Sequence, residues 1–302
     1  MSPTSLELYA TCPMRYLLRQ VLRVGATEKP EEILRIRPME KGTLVHAILE
    51  RYVRTLLAGE ARSLDRLLAI AHDACAEVEA RGLTGKPLFW RYERELLVRE
   101  LRRFYEDDRL SPLAAELAFG MEDEEPVVVP LDDGRELRFR GSADRVDHDP
   151  ATNDLVVTDY KTGSLREYED LRKNAEADPV DRGRRLQLPL YALAAGARHP
   201  TSQPVRARYW FTSEKGRFDS IGYHVDERVL ARLRDVLNVV ADGISAGVFP
   251  ARPGEIDRQT YRNCAWCDYD RLCQRDRGRQ WERKRSTPVL ADYVALAEGE
   301  GP

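Results

Sequence analysis

The stretch Gly141–Gly163, GSADRVDHDPATNDLVVTDYKTG, holds the side chains best suited to chemistry. It reads as two β-strands, Leu137–Asp147 and Leu155–Lys161, around a polar loop, Asp149-Pro150-Ala151-Thr152-Asn153-Asp154. Symmetric closure of that hairpin sets Asp144 opposite Asp159, with β-carbons about 5 Å apart. Two carboxylates so close repel unless a cation neutralises them, and oxygen ligands suit Mg²⁺ or Mn²⁺. Strand alternation puts Lys161 on the Asp159 face. A surface hairpin with a salt bridge has a similar composition. Here Val146, Leu155, Val156 and Val157 mark the strands as buried, and buried acids need partners or metal.

A second constellation lies near the C-terminus. Cys264-Ala265-Trp266-Cys267 is followed by Cys273, a C-x₂-C-x₅-C pattern. Thiols so concentrated seldom arise from core packing. A four-ligand site needs one more, and Cys12 is the best placed by type, whereas Cys75 falls on the apolar face of a helix and reads as core. Spacing alone leaves zinc and an iron–sulfur cluster both open.

With these residues in view, Asp144 … Asp159-Tyr160-Lys161 resembles the signature of PD-(D/E)XK nucleases in its RecB-like form. Ala143 stands where the family name has proline and Asp159 where many members have Glu; both departures occur within that branch. GTLVHAILE resembles the first motif of the family, which implies that His46 joins the metal site. QLPLYALAA resembles the helix after the catalytic strand, which implies that Gln187 and Tyr191 point into the site. SPTSLELYATCPMRYLL and the cysteine pattern resemble the [4Fe-4S] staple of AddB-type helicase–nucleases and certain CRISPR-associated nucleases. The resemblance implies Mg²⁺ or Mn²⁺ held by Asp144, Asp159, His46 and the Tyr160 carbonyl, with Lys161 at the attacking water. It implies a structural cluster on Cys12, Cys264, Cys267 and Cys273. The expected activity is metal-dependent hydrolysis of DNA, exonucleolytic, in repair, recombination or phage- or CRISPR-linked processing. The expected partners are DNA with single-stranded character and a helicase or other DNA-processing subunit. The competing readings are a non-cutting DNA-end binding module, a nuclease active only beside a helicase, and a zinc-stapled interaction protein.

The elements that must position these residues follow from periodicity. Ser5–Leu22 reads as two short helices with a joint at Thr11-Cys12-Pro13. Residues 25–38 read as a loop. Helices are expected over Lys41–Ala58, Leu64–Ala80 and Phe89–Glu106, each with apolar residues at helical spacing. Leu113–Phe119 reads as a strand containing Glu116, an acid that could assist a metal site or form an ion pair. Pro126–Leu131 is β-rich, and Asp133-Gly134 is a hairpin turn. The strand Glu136–Asp147 would then set Arg138 and Arg140 on the Asp144 face. Residues 164–183 read as charged and mobile. A helix over Arg184–Ala197, which accommodates Pro189 if it begins late or is locally kinked, is followed by a hairpin, Val205–Thr212 with Phe218–Val225. Asp226 caps the next helix, and residues 247–254 form a loop. The expected fold class is α/β: a restriction-endonuclease-like mixed sheet flanked by helices, with a helical insertion and a C-terminal staple. One nuclease domain spans 1–286, with a helical region at about 41–108, a core at about 113–225, a cluster-binding part at about 226–280 and a tail at 287–302.

Composition bounds these expectations. The chain has 302 residues, 42% hydrophobic and 33% charged, as a folded globular protein does. It has no apolar run long enough for a transmembrane helix, and its first residues lack the pattern of a signal peptide. Five cysteines, four of them patterned as ligands, suit a reducing, cytoplasmic setting. A net charge of −3 gives no global argument for nucleic acid, but residues 271–285 carry seven Arg or Lys against two acids. No G-x-x-x-x-G-K-[ST] phosphate loop is present, so the chain is not itself a recognisable ATP-driven motor.

Overall fold

The computed structural model describes residues 1–26, 34–121, 123–257 and 259–299; half of the loop expected at 25–38 lies outside them. Helix α1 (Pro3–Thr11) breaks at Cys12, and Pro13 opens α2 (Pro13–Tyr16), which runs into a π-helical turn, Leu17–Val21. Three long helices follow: α3 (Pro38–Leu57), α4 (Leu64–Ala80) and α5 (Pro87–Asp107). Proline in the first turn starts α3 and α5, and the Ser63 hydroxyl caps α4. Then come β1 (Ser111–Phe119), β2 (Val127–Pro130), β3 (Glu136–Phe139), β4 (Gly141–His148) and β5 (Leu155–Lys161). The chain continues through α6 (Glu169–Asn174), α7 (Gln187–Arg198), β6 (Val205–Phe211), β7 (Ser220–Val225) and α8 (Glu227–Ser245). A two-residue ladder of β8 (Ile256–Asp257) and β9 (Thr260–Tyr261), then α9 (Arg277–Lys284) and α10 (Ala291–Glu298), complete it. Among the described residues no helix is long and apolar enough to cross a membrane.

The central sheet has the order β1-β4-β5-β6-β7, with β5 and β6 parallel and the other neighbours antiparallel. The crossover from β5 to β6 carries α7, as a parallel pair requires. One face of the sheet packs on α1, α7, α8 and α10 in a single apolar core that includes Val157, Tyr209, Leu188, Leu233 and Leu296. Tyr160 and Trp210 point the other way, into a second core built by α3, α4 and α5. The helical region is therefore the second cover of the sheet, which buries both faces of β5.

Three expectations change. The strand expected over 136–147 is two strands in two sheets: β3 pairs only with β2, and β4 pairs with β1 and β5. The chain steps between the sheets at Arg140, whose amide donates to the Met1 carbonyl at 2.9 Å. Gly141 follows because the Phe119 ring occupies the space a Cβ would need, 2.9 Å away. Residues 164–183 are not loose: Leu165, Leu171 and Val180 are buried, and Arg184 pairs with Asp170 and Asp181. Three apolar anchors suffice to fix a segment that reads as charged. The expected tail contains α10, whose Tyr293, Leu296 and Ala297 enter the main core beside α1 and α8.

Candidate active site

Strands β4 and β5 pair as Arg145 with Thr158, Val146 with Val157, Asp147 with Val156 and His148 with Leu155. This is the register that symmetric closure of the 149–154 loop dictates. Next along, the Asp144 carboxylate turns onto the backbone of β5, where its Oδ2 accepts from the Tyr160 amide at 2.6 Å. His46, projecting from α3, bridges the same two residues. Its Nδ1 lies 3.2 Å from Asp144 Oδ1 and its Nε2 3.1 Å from the Tyr160 carbonyl. Both partners are acceptors, so only a protonated ring satisfies both. Burial works to lower the His46 pKa, but the Asp144 hydrogen bond and charge outweigh it and raise it. A neutral ring would free one nitrogen lone pair for a cation.

On β5, Asp159 is 3% exposed, and burial pushes its carboxyl up to about 6 against the pull of Lys161. The Lys161 ammonium makes an ion contact with Asp159 Oδ2, which accepts no well-directed hydrogen bond. Burial works against the Lys161 charge, but Asp159 and its neighbours raise its pKa, so it stays an ammonium. Lys161 Nζ also donates to Gln187 Oε1 at 3.1 Å and lies 5.0 Å from the centre of the Tyr209 ring. Gln187, the first residue of α7, donates through Nε2 to Asp159 Oδ1 at 3.2 Å and to Tyr191 Oη at 3.1 Å. Asp144, His46 and the Tyr160 carbonyl thus meet at one end of β5. Asp159, Lys161, Gln187 and Tyr191 form a hydrogen-bonded set beside them.

Glu116 joins the first group. Its ligand atom, with those of His46 and Asp144, forms a trio all within 4.8 Å of one another. Its backbone has φ of +52° within β1, an unusual strain for a residue other than glycine. The Ser142 hydroxyl donates to Glu116 Oε2 at 2.7 Å, and burial raises the carboxyl's pKa. A trio of one imidazole and two carboxylates is a donor set that suits a divalent cation, and Asp159 stands outside it, its Oδ2 in contact with the Lys161 ammonium. Arg138 and Arg140 do not share the Asp144 face: Arg138 lies on β3, in the other sheet, and both are exposed.

Two groups near the site carry no signal in the spacing of the sequence. Glu7 on α1 accepts from the Leu186 amide, just ahead of Gln187. Beneath β4, the fully buried Arg145 donates to Asp147 at 2.6 Å and to both oxygens of Asp108 at 3.0 and 3.1 Å. Asp108 ends α5, so this ion cluster fastens the helical region to the strand that carries Asp144.

Far along the chain from these acids, Cys12, Cys264, Cys267 and Cys273 line one cavity with Arg15, Arg252 and Arg277. All four are free thiols. Burial pushes Cys264 up to about 11 and raises Cys12 and Cys273. Asn263 Nδ2 donates to the Thr11 carbonyl at 3.0 Å, strapping the end of α1 to the C-terminal segment. The Nε atoms of all three arginines are buried without a hydrogen-bond partner. The donor chemistry is that of a thiolate-bound metal centre, but no three of these sulfurs lie within 4.8 Å of one another.

The sequence model of the PD-(D/E)XK nuclease superfamily matches residues 1–274. The chain belongs to that superfamily. The five-stranded mixed sheet with its flanking helices is the restriction-endonuclease-like core expected of it. Curated relatives point the same way. A relative from Acetivibrio thermocellus, a subunit of an ATP-dependent helicase/deoxyribonuclease, is 29% identical over 184 residues, 54% of this chain and 15% of that protein. A relative of the same name from Clostridium kluyveri is 27% identical over 215 residues, 63% of this chain and 17% of that protein. The chain spans less than a fifth of the length of either relative.

Proposed function

We propose that the chain is a divalent-metal-dependent deoxyribonuclease that acts on DNA ends beside a helicase. One observation carries this reading: a hydrogen-bonded Asp159–Lys161–Gln187 set stands next to a cation-ready trio, His46, Glu116 and Asp144. Mg²⁺ or Mn²⁺ would be held by Asp144, Asp159, His46 and the Tyr160 carbonyl, with Glu116 at the rim. Bound there, the ion would supply an acidified water and a charge against the phosphate oxygens. The protein's own groups do the rest. Lys161, kept charged by Asp159, offsets negative charge as the phosphate reacts and orients the attacking water. Gln187 holds the Lys161 ammonium on one side and Asp159 on the other, and Tyr191 fixes the Gln187 amide. Asp144 holds the Tyr160 amide, and His46 faces the Tyr160 carbonyl.

Exposed Arg271, Arg275, Arg279, Arg283 and Lys284 would contact phosphates, so affinity would fall steeply with salt. The four-cysteine cavity would hold a [4Fe-4S] cluster as a structural clasp, in a reducing, cytoplasmic setting. The helicase partner is proposed from the names of the relatives, since this chain carries no phosphate loop of its own. A linear single strand labelled at either end, offered beside a closed circle, tests the exonuclease reading. The linear strand is degraded from one end with Mg²⁺ or Mn²⁺ and the circle survives; cutting of the circle would make the enzyme an endonuclease.

A further inference from the structure

Helix α1 ends at Cys12, which lines the C-terminal cavity, and carries Glu7, whose carboxyl reaches the start of α7. The Glu7 Oε1 accepts from the Leu186 amide at 2.7 Å, across 179 residues of sequence. Leu186 is the residue before α7 and brings no side-chain cap of its own. The Glu7 carboxyl therefore supplies the acceptor that the start of α7 lacks, while burial raises its pKa against the pull of Arg185 and the Leu186 amide. The residue so held is followed at once by Gln187, whose amide touches Lys161, Asp159 and Tyr191 together. A second contact fixes the same junction. Gly183, at φ +82°, lies where a Cβ would come within 3.0 Å of Ala10 on α1 and 2.8 Å of Val236 on α8. The chain entering α7 is thus pressed onto α1 by shape as well as by the Glu7 hydrogen bond. From Glu7, α1 runs on to its C-cap Cys12, about 7.5 Å along the axis at the rise of an α-helix.

We infer that Glu7 is a positioning residue for the reaction: it sets where Gln187, and through it the Lys161 ammonium, stands against Asp159. It also makes α1 the physical link between the cysteine cavity and the nuclease site. The inference rests on the nuclease reading for its kinetic consequence, and on the structure alone for the helix junction.

The test uses the full chain with Glu7→Ala, Glu7→Gln, Gln187→Ala and the Glu7→Ala/Gln187→Ala double variant. Cleavage of single-stranded DNA with Mn²⁺ is measured alongside amide exchange of residues 185–191 and thermal melting. In Glu7→Ala, kcat falls about 10- to 100-fold with KM unchanged, as a small misplacement of an aligned group does. Glu7→Gln keeps an acceptor oxygen and recovers most of the rate. The double variant is no slower than Gln187→Ala, because both act through one amide. The Leu186 amide exchanges faster in Glu7→Ala while the melting temperature stays near that of the wild type. A wild-type kcat in Glu7→Ala, or additive losses in the double variant, overturns the inference. Unaltered Leu186 exchange overturns it too. If the wild type cuts no DNA, the nuclease reading fails instead, and the exchange at Leu186 alone decides whether Glu7 holds the junction.

Discussion

At the scale of single residues, the site works by making each charge the answer to another. Gln187 shows this most simply, with one amide on Lys161, Asp159 and Tyr191. Gln187→Ala should cost about 10- to 100-fold in kcat with little loss of stability, which steady-state cleavage and melting together check. The buried arginine beneath β4 is the opposite case. Arg145→Ala would strand Asp108 and Asp147 without a cation and should cost about 3–5 kcal/mol in urea unfolding; a cost under about 1 kcal/mol, the worth of an exposed pair, would contradict a buried ion cluster. Asp147 gives that cluster a pH dependence. Burial pushes its carboxyl up to about 6 despite Arg145, whereas an unfolded aspartate titrates near 3.9. Between about pH 4 and 6 the folded state binds the extra proton, so this group makes stability fall as pH rises through that window. Asp147→Asn should flatten that part of the curve, and an unchanged slope would contradict the assignment. The residues of the site were legible in unequal measure. Asp144, Asp159 and Lys161 stand out as candidates because strand alternation groups their side chains, but the ladder ends at Arg145 and Thr158 and Asp144 turns onto the Tyr160 amide, which the sequence does not reveal. Glu7 does not, because its partner lies 179 residues away and nothing local marks it.

At the scale of elements, β5 is the axis. It is covered on both faces, so its run of valines shows no alternation, and its role had to be read from the acids at its end. Helix boundaries with strong periodicity, such as Leu64–Ala80, coincide with those read from the sequence. The misread strand over 136–147 has a physical cause: a chain leaving one sheet for another keeps β composition throughout, and only Gly141 marks the step. The C-terminal helix was missed for a related reason. It is short and follows a highly charged stretch, and its three core residues gain meaning only against α1 and α8. Burying a large apolar or aromatic side chain contributes about 1.5–3 kcal/mol. Ending the chain at Ser286, which removes Tyr293 and Leu296 from the core, should therefore lower stability by several times RT. A shift of the urea midpoint measures it, and a midpoint equal to that of the full chain would show α10 to be dispensable.

At the scale of the whole molecule, Cys12 and the segment from Cys264 to Cys273 line one cavity, so a metal held there by all four would close a very long loop. Closing so long a loop restricts the unfolded chain strongly. Cys12→Ala should lose iron and colour from anaerobically purified protein and lower the melting temperature, whereas retained iron with unchanged melting would contradict the clasp. Zinc in colourless protein would keep the clasp and replace its metal. The central claim, however, is that one acid–lysine set beside a cation-ready trio cuts DNA. The most direct test is single-turnover cleavage of an end-labelled strand with Mn²⁺ by wild type, Asp159→Ala and Lys161→Ala, each checked for folding and DNA binding. The account predicts that only the wild type cuts while all three bind. Cutting that survives either substitution, or binding without any cutting by anaerobically purified wild type, would contradict it.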